Sequence, residues 1–380
     1  MHEQHLRQET LFSNTSLRKL NIDKDLESML YHAKEVILEN QRPITLLYDA
    51  DFDGMGSAAI FQLIANHLGL PVRKMAMTYE KTHEAIKLIN GSKRNIVCVD
   101  YEPHGEIHSW LEKPNIQNVI IFGHHPTRKD LLELDANRSE VQYYNPLTET
   151  SRSNKISNSY VLAHLASLMG VRNFDNALFS AVFCARGYGF SEDAKRLREQ
   201  AGIPIKIKGD LIDRIRLLHN YRINQCNAIV NALTKSSTCY NPKSPIVKLG
   251  KRVNHWDLFR IREKEIAWSL AHKKTIKGVN LYQVRRFDVP NVIFNRLWTK
   301  DRAKGKPYSV FYSVSHKPAT DGSNWHEVTK ISLRGKINVS DIVERVGNRH
   351  GIGNKGGHDF SAGMIIEGHR SNILEELCHG

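Results

Sequence analysis

The stretch "ITLLYDADFDGMGS", residues 44–57, runs an apolar, β-rich segment into Asp49, Asp51 and Asp53 and then turns on Gly54. Carboxylates this close repel one another unless something positive lies among them. The same Asp-x-Asp-x-Asp-Gly order opens a calcium EF-hand loop, but that loop needs a glutamate at its twelfth position and a helix in front. Here the twelfth position is Ile60, and "ITLLY" reads as a strand. The aspartates therefore sit where a strand ends and a helix begins, the crevice in which open α/β sheets bind ligands. Gly54 and Gly56 leave room for close approach, and the new helix offers N–H groups to an anion. Oxygen ligands at this density suit Mg2+ or Mn2+.

Working outward, the rhythm repeats. Short apolar runs at 72–77, 95–100 and 118–123 alternate with helical stretches near 56–68, 83–90 and 105–112, and helices at 157–169 and 174–185 complete the unit. This alternation predicts an α/β fold with a parallel sheet covered on both faces. A leading helix is expected over 23–40, and "LIDRIRLLHNYRINQCNAIVNAL" with a helix over 255–274 reads as a helical connector. From 278 the runs "VNLYQVRRF", "YSVFYSV" and "HEVTKISLRG", with helices near 291–299 and 340–346, predict a second, smaller α/β unit. The expected division is a helical extension (1–40), the parallel-sheet domain (41–205), the connector (206–277) and the smaller domain (278–380).

Charged residues make up 25% of the 380 and hydrophobic ones 41%, which fits a globular chain and excludes a disordered one. No apolar run approaches the roughly 20 residues that span a bilayer, and "MHEQHLRQET" lacks the apolar core of a secretion signal. The five cysteines lack paired spacing and read as reduced thiols, so a cytoplasmic location is expected. A net charge of +14 points to polyanionic partners, and basic residues crowd the stretch between Arg186 and Lys277.

Two further strand ends carry ligand-type residues: "IVCVDY" delivers Asp100, and "VIIFGHHPT" delivers His124 and His125. Imidazole is the usual nitrogen partner in mixed carboxylate sites. The order Asp-x-Asp-x-Asp-Gly, strand–Asp, strand–x-His-His resembles the DHH phosphoesterases, particularly their RecJ-like exonuclease branch. "YYNPLTETS" is similar to the Asn-Pro segment of that family. "ISLRGK" and "NVSDIVERVGNRHGIGNKGGHDFSAGMI" are similar to the DHH-associated C-terminal domain, so the resemblance runs from about 44 to 370. It implies a Mn2+ (or Mg2+) centre of one or two ions in a cleft between the domains. Asp49, Asp51, Asp53, Asp100 and His124 would hold the metal, Asp100 bridging, with His125 on the scissile phosphate. Arg334 and the loop of Gly356, Gly357 and His358 would grip the nucleotide backbone.

Two positions depart from the pattern. The Asp that opens the family's name motif is Gly123 here; that Asp supports the first histidine, so its loss implies a looser site. The fourth-motif Asp aligns with Arg186 in "LFSAVFCARGYGF". An arginine cannot ligate a metal. Three outcomes stay open: a single-metal site with Arg186 as a catalytic cation on the phosphate, a substitute ligand from Glu192 or Asp193, or a fold kept for binding only. The leading expectation is a metal-dependent phosphodiesterase on single-stranded DNA or RNA, a RecJ-like 5′–3′ exonuclease in which Trp256, Tyr188 or Tyr221 stack bases. The alternatives are a scaffold for replication or repair proteins and a phosphodiesterase for short oligoribonucleotides or cyclic dinucleotides.

Overall fold

Five strands, β1 (Ile44–Asp49), β2 (Val72–Met77), β3 (Arg94–Val99), β4 (Ile116–Phe122) and β5 (Val141–Tyr144), pair in the order β2-β1-β3-β4-β5. Every pairing is parallel. The computed structural model describes residues 20–379 apart from 78–92, 104–105, 126–128, 150–155, 203–210, 213, 216–217, 219–224, 237–242, 253–254, 286–289, 319–324, 354, 359 and 369. The helix expected near 83–90 lies outside the described residues. They fall into two compact units that divide between Val253 and Asn254, inside the stretch expected to be a connector.

The first unit shows why its strands read as unbroken apolar runs. Side chains alternate between faces along a strand, and here both faces are covered. Leu46, Tyr48, Val97, Val99, Ile120 and Phe122 pack into one core with α1 (Glu27–Glu39) and α2 (Phe52–His67). Leu47, Ile96, Cys98, Val119 and Ile121 pack on the other face with Ile107 and Trp110 of α3 (Glu106–Leu111) and Leu131 of α4 (Lys129–Asn137). The first core is completed by α5 (Asn158–Leu168), α6 (Phe174–Tyr188), α7 (Ser191–Ala201), α8 (Cys226–Leu233) and α9 (Pro245–Lys251). A helix buried all round needs little amphipathic patterning, and α2 is of that kind, buried almost continuously from Phe52 to Ala65. It approaches α6 closely because Gly56 has no side chain: a Cβ there would lie 2.5 Å from the Cβ of Cys184. The described cysteines, Cys98, Cys184, Cys226 and Cys378, are buried thiols outside any disulfide.

The strand order positions the site. β1 has β2 on one side and β3 on the other, so the chain changes direction across the sheet at β1/β3. At such a switch point the loops leaving the two carboxyl ends diverge and open a crevice. Asp49 ends β1, and Asp100 follows β3 directly.

The second unit is a mixed sheet of β6 (Lys273–Ile276), β7 (Val279–Gln283), β8 (Tyr308–Pro318), β9 (Trp325–Gly335), β10 (Lys355–His358) and β11 (Ser361–Glu367), in the order β10-β11-β9-β8-β7-β6. Its helices are α10 (His255–Ala271), α11 (Pro290–Ala303), α12 (Val339–Arg349) and α13 (Ser371–Leu377). Val339, Ile342, Val343 and Val346 of α12 join Ile373, Leu374 and Leu377 of α13 over Val310, Ile331, Leu333 and Met364 of the sheet. The helix expected over 255–274 ends at Ala271 instead, and the next residues form β6. The cause is local: Lys277 and Gly278 both take positive φ, 45° and 84°, which suits a two-residue hairpin and pairs β6 with β7. Among the described residues no helix is long and apolar enough to cross a membrane.

Candidate metal centre

Asp51 caps α2: its Oδ1 accepts the Gly54 N–H at 2.8 Å, satisfying one of the donors that a helix start leaves open. Gly54 is required there, since a Cβ would fall 2.2 Å from the Asp49 carbonyl oxygen. Asp49 and Asp51 are partly exposed, and Asp100 is buried at 1%. Asp100 also holds a left-handed backbone, φ 59°. Aspartate tolerates that region better than most residues, but the strain is characteristic of functional turns. Its buried Oδ1 accepts no hydrogen bond and lies 3.4 Å from Nδ1 of His124.

Two triads meet at Asp100. Ligand atoms of Asp49, Asp51 and Asp100 lie within 4.8 Å of one another, and so do those of Asp100, His124 and His125. Burial and the charges of Asp51 and Asp53 push the Asp49 carboxyl well above its ordinary range. Burial and the charges of Asp53, Asp51 and Asp49 do the same for Asp100. Without a cation the cluster must hold protons to relieve its repulsion. A buried acid with an orphaned oxygen, common to an all-oxygen triad and an oxygen-and-nitrogen one, fits Mn2+ or Mg2+ well.

Asp53 is held differently. It is fully buried, and its oxygens accept the Asn158 N–H at 2.7 Å, the Ser159 N–H at 3.0 Å and the Ser159 hydroxyl at 2.5 Å. These are the open donors of the α5 N-terminus, where negative charge is favoured. Its Oδ2 is also 3.0 Å from Nδ1 of His124. Burial alone would raise Asp53, but His124 and Ser159 outweigh it and hold the carboxyl below the usual range. Burial likewise opposes charge on His124, and Asp53, Asp51 and Glu102 overcome it and lift the ring above its ordinary value. Asp53, expected among the metal ligands, thus lies against His124 and is in neither triad.

His125 is 30% exposed, packs its ring edgewise on His124 at 4.6 Å, and is held through its backbone: Asn145 Nδ2 donates to its carbonyl at 2.9 Å. Asn145, from the Asn-Pro segment, also donates to the Tyr143 hydroxyl at 2.8 Å. Arg186 stands exposed in the last turn of α6. From the same turn the Tyr188 hydroxyl comes under the fields of Asp51, Asp100, Asp49 and Asp53, which with burial raise it well above its usual value. Sequence reasoning read Tyr188 as a base-stacking ring and gave no sign of this neighbourhood. Glu192 is exposed beside Arg196, Oε1 to Nε 3.6 Å. Asp193 accepts the Ser157 N–H at 2.7 Å, and burial pushes its carboxyl to about 6. It joins neither triad. Trp256's side chain and Tyr221 lie outside the described residues.

In the second unit, Arg334 on β9 faces Ser361 on β11, which in turn faces His358 on β10. Arg334 Nη1 donates to Ser332 Oγ at 2.7 Å and to the Leu333 carbonyl at 2.9 Å, and its guanidinium lies over Phe294, 5.7 Å from the ring centre. Gly357 has φ 142°, and a Cβ there would meet the Ala362 Cα at 2.4 Å, so the hairpin admits only glycine. Gly356 pairs with Gly363. The side chain of His358 lies outside the described residues.

No protein-family model matches the chain, and no curated protein sequence matches it. Solved structures do. One, described as a DHH domain of a member of the s1p family of ribosomal proteins, is 14% identical with a TM-score of 0.63, covering 100% of this chain and 98% of that one. RecJ from Thermus thermophilus in complex with Mn2+ is 16% identical with a TM-score of 0.61. It matches 95% of this chain, which spans about half of that protein, 54%. Exonuclease RecJ bound to manganese is 15% identical with a TM-score of 0.55, covering 95% of this chain and 94% of that one. At such identities the likeness is one of architecture: the parallel sheet with its flanking helices and the second mixed sheet are the DHH fold in its RecJ-like form.

Proposed function

We propose that this chain is a metal-dependent phosphodiesterase acting on single-stranded nucleic acid, a RecJ-like 5′–3′ exonuclease. The observation that carries the reading is the pair of triads sharing the buried Asp100, whose Oδ1 accepts no hydrogen bond, at the sheet's switch point. Asp49, Asp51 and Asp100 would hold one Mn2+ or Mg2+, and Asp100, His124 and His125 a second. Such ions supply a hydroxide near neutral pH and offset charge on the transition state.

The protein's own residues do the rest. Asp53 keeps Nδ1 of His124 occupied at 3.0 Å, so the ring can present Nε2 to a ligand. Asn145 fixes the His125 backbone beside it. Asp51, through its cap on Gly54, ties its carboxylate to the α2 start and so holds it beside Asp49 and Asp100. Arg334 and the Gly356–Gly357–His358 hairpin take the strand's phosphates without reading bases, the sequence-independent contact that a net charge of +14 favours.

The test incubates 5′- and 3′-labelled single strands, and dinucleotides, with Mn2+ and then with EDTA. Mn2+-dependent shortening from the 5′ end is expected. Binding of single strands without cleavage of any substrate, and without bound metal, would leave a replication- or repair-associated binding protein as the reading, which the Arg186 substitution favours.

A further inference from the structure

Gly123 follows β4 directly and stands where the motif order leads one to expect a carboxylate. The space its side chain would use is already filled. A Cβ built on Gly123 would lie 1.9 Å from Oε1 of Glu102, 2.8 Å from its Cδ and 3.1 Å from its Cγ. Glu102 comes from the loop after the neighbouring strand β3, two residues beyond Asp100, and is only 8% exposed. Its Oε1 lies 3.9 Å from Nδ1 of His125. That is an ion-pair separation rather than a hydrogen bond.

We propose that Glu102, from the loop after β3, places its carboxylate in the space that a side chain at 123 would take, and that Glu102 and Gly123 are a reciprocal pair in which Glu102 positions His125. The inference rests on the metal reading of the site. Each histidine then has its own acid: Asp53 on Nδ1 of His124 and Glu102 on Nδ1 of His125. A histidine that ligates a metal is commonly oriented and made more basic by a carboxylate on its other nitrogen. Glu102 joins neither triad of ligand atoms, so it is a positioning residue and not a ligand. The glycine is a requirement of the arrangement: an aspartate at 123 would collide with Glu102 and bring a second negative charge to the same volume.

The experiment compares Mn2+ affinity, read from the EPR signal of free Mn2+, in the wild type, Glu102→Gln, Glu102→Ala, Gly123→Asp and the Glu102→Ala/Gly123→Asp double variant. Melting temperatures without metal are measured alongside. Each single change should weaken Mn2+ binding by about 10–100-fold, the usual effect of losing a group that orients a ligand. Glu102→Gln should lose as much as Glu102→Ala, because charge and not bulk is required. The double variant should return to within about threefold of the wild type, as the new aspartate occupies the vacated space. Losses that multiply in the double variant, or wild-type affinity in Glu102→Gln, would overturn the proposal. Should Gly123→Asp fail to fold, Glu102→Gln still decides. Should the wild type bind no Mn2+, the metal reading fails separately. The pair is then judged on melting temperature, where the loss in Gly123→Asp must still be relieved by Glu102→Ala or the pairing is wrong.

Discussion

Two buried carboxylates, one in each unit, are held in opposite ways. Asp301 accepts from Asn280 Nδ2 at 2.7 Å, from the Tyr282 hydroxyl at 3.0 Å and from the Ser309 hydroxyl at 2.6 Å. Asp100 has a buried oxygen that accepts nothing, carboxylates for neighbours and a strained backbone. A satisfied buried acid is part of the frame, since its donors would otherwise go unpaired. An acid crowded by acids and short of donors is stable only when something else supplies positive charge. The contrast separates scaffold from site without reference to any relative.

The largest expected effect breaks the scaffold side. Asp301→Ala strands three buried donors and should cost about 3–4 kcal/mol in urea unfolding of the chain, with no dependence on Mn2+. A loss that Mn2+ restores would erase the distinction between the two acids.

The next sharpens the same contrast with histidines. His124 has Asp53, whereas the ring of His164 in α5 lacks hydrogen bonds on both nitrogens. Burial, against a weak pull from Asp23, pushes His164 down to about 4. Its folded value lies below the ordinary 6.5, so the unfolded chain binds the extra proton first. The contribution is therefore present above about pH 6.5 and is lost as pH falls toward 4, about 3 kcal/mol in all. Urea unfolding at pH 7 and pH 4 should show this loss, and His164→Leu should flatten it by that amount. An unchanged slope would mean the ring is charged in the fold.

The smallest effect has the opposite sign. Asp100→Asn keeps a residue that accepts the left-handed backbone and removes one of the crowded charges. It should raise metal-free stability by about 1 kcal/mol while abolishing Mn2+-dependent stabilisation. Destabilisation like that of Asp301→Ala would place Asp100 in the frame.

Much of this is legible in the residues. The run at 44–49 is a strand because β-branched and apolar side chains fill both faces of a covered sheet, whereas the edge run at 72–77, with Arg73 and Lys74, buries only Ala76 and Met77. β5 escapes notice at four residues, with glutamine and tyrosines in place of aliphatics. α7 hides because it falls in the stretch from Arg186 to Lys277 that stands out for its basic residues, when it is a helix burying Ala194 and Leu197. α2 starts four residues before the expected 56 because the Asp51 cap sets its first turn.

At the site, Asp49, Asp51, Asp100, His124 and His125 stand out as ligand types at strand ends. What stays hidden is contact across sequence. Asp53 belongs to donors 105 and 106 positions away, at Asn158 and Ser159. Glu102 reaches Gly123 from the loop after the neighbouring strand β3, and no local spacing announces it. Tyr188 comes under the charge of the aspartates because α6 packs on α2.

The most direct trial of the whole account is an anomalous-scattering map from crystals grown in Mn2+. It should show density bonded to the Asp100 carboxylate and shared with Asp49 and Asp51, with His124 and His125, or with both sets. A map featureless at Asp100, in crystals whose β1/β3 loops are ordered, would contradict it.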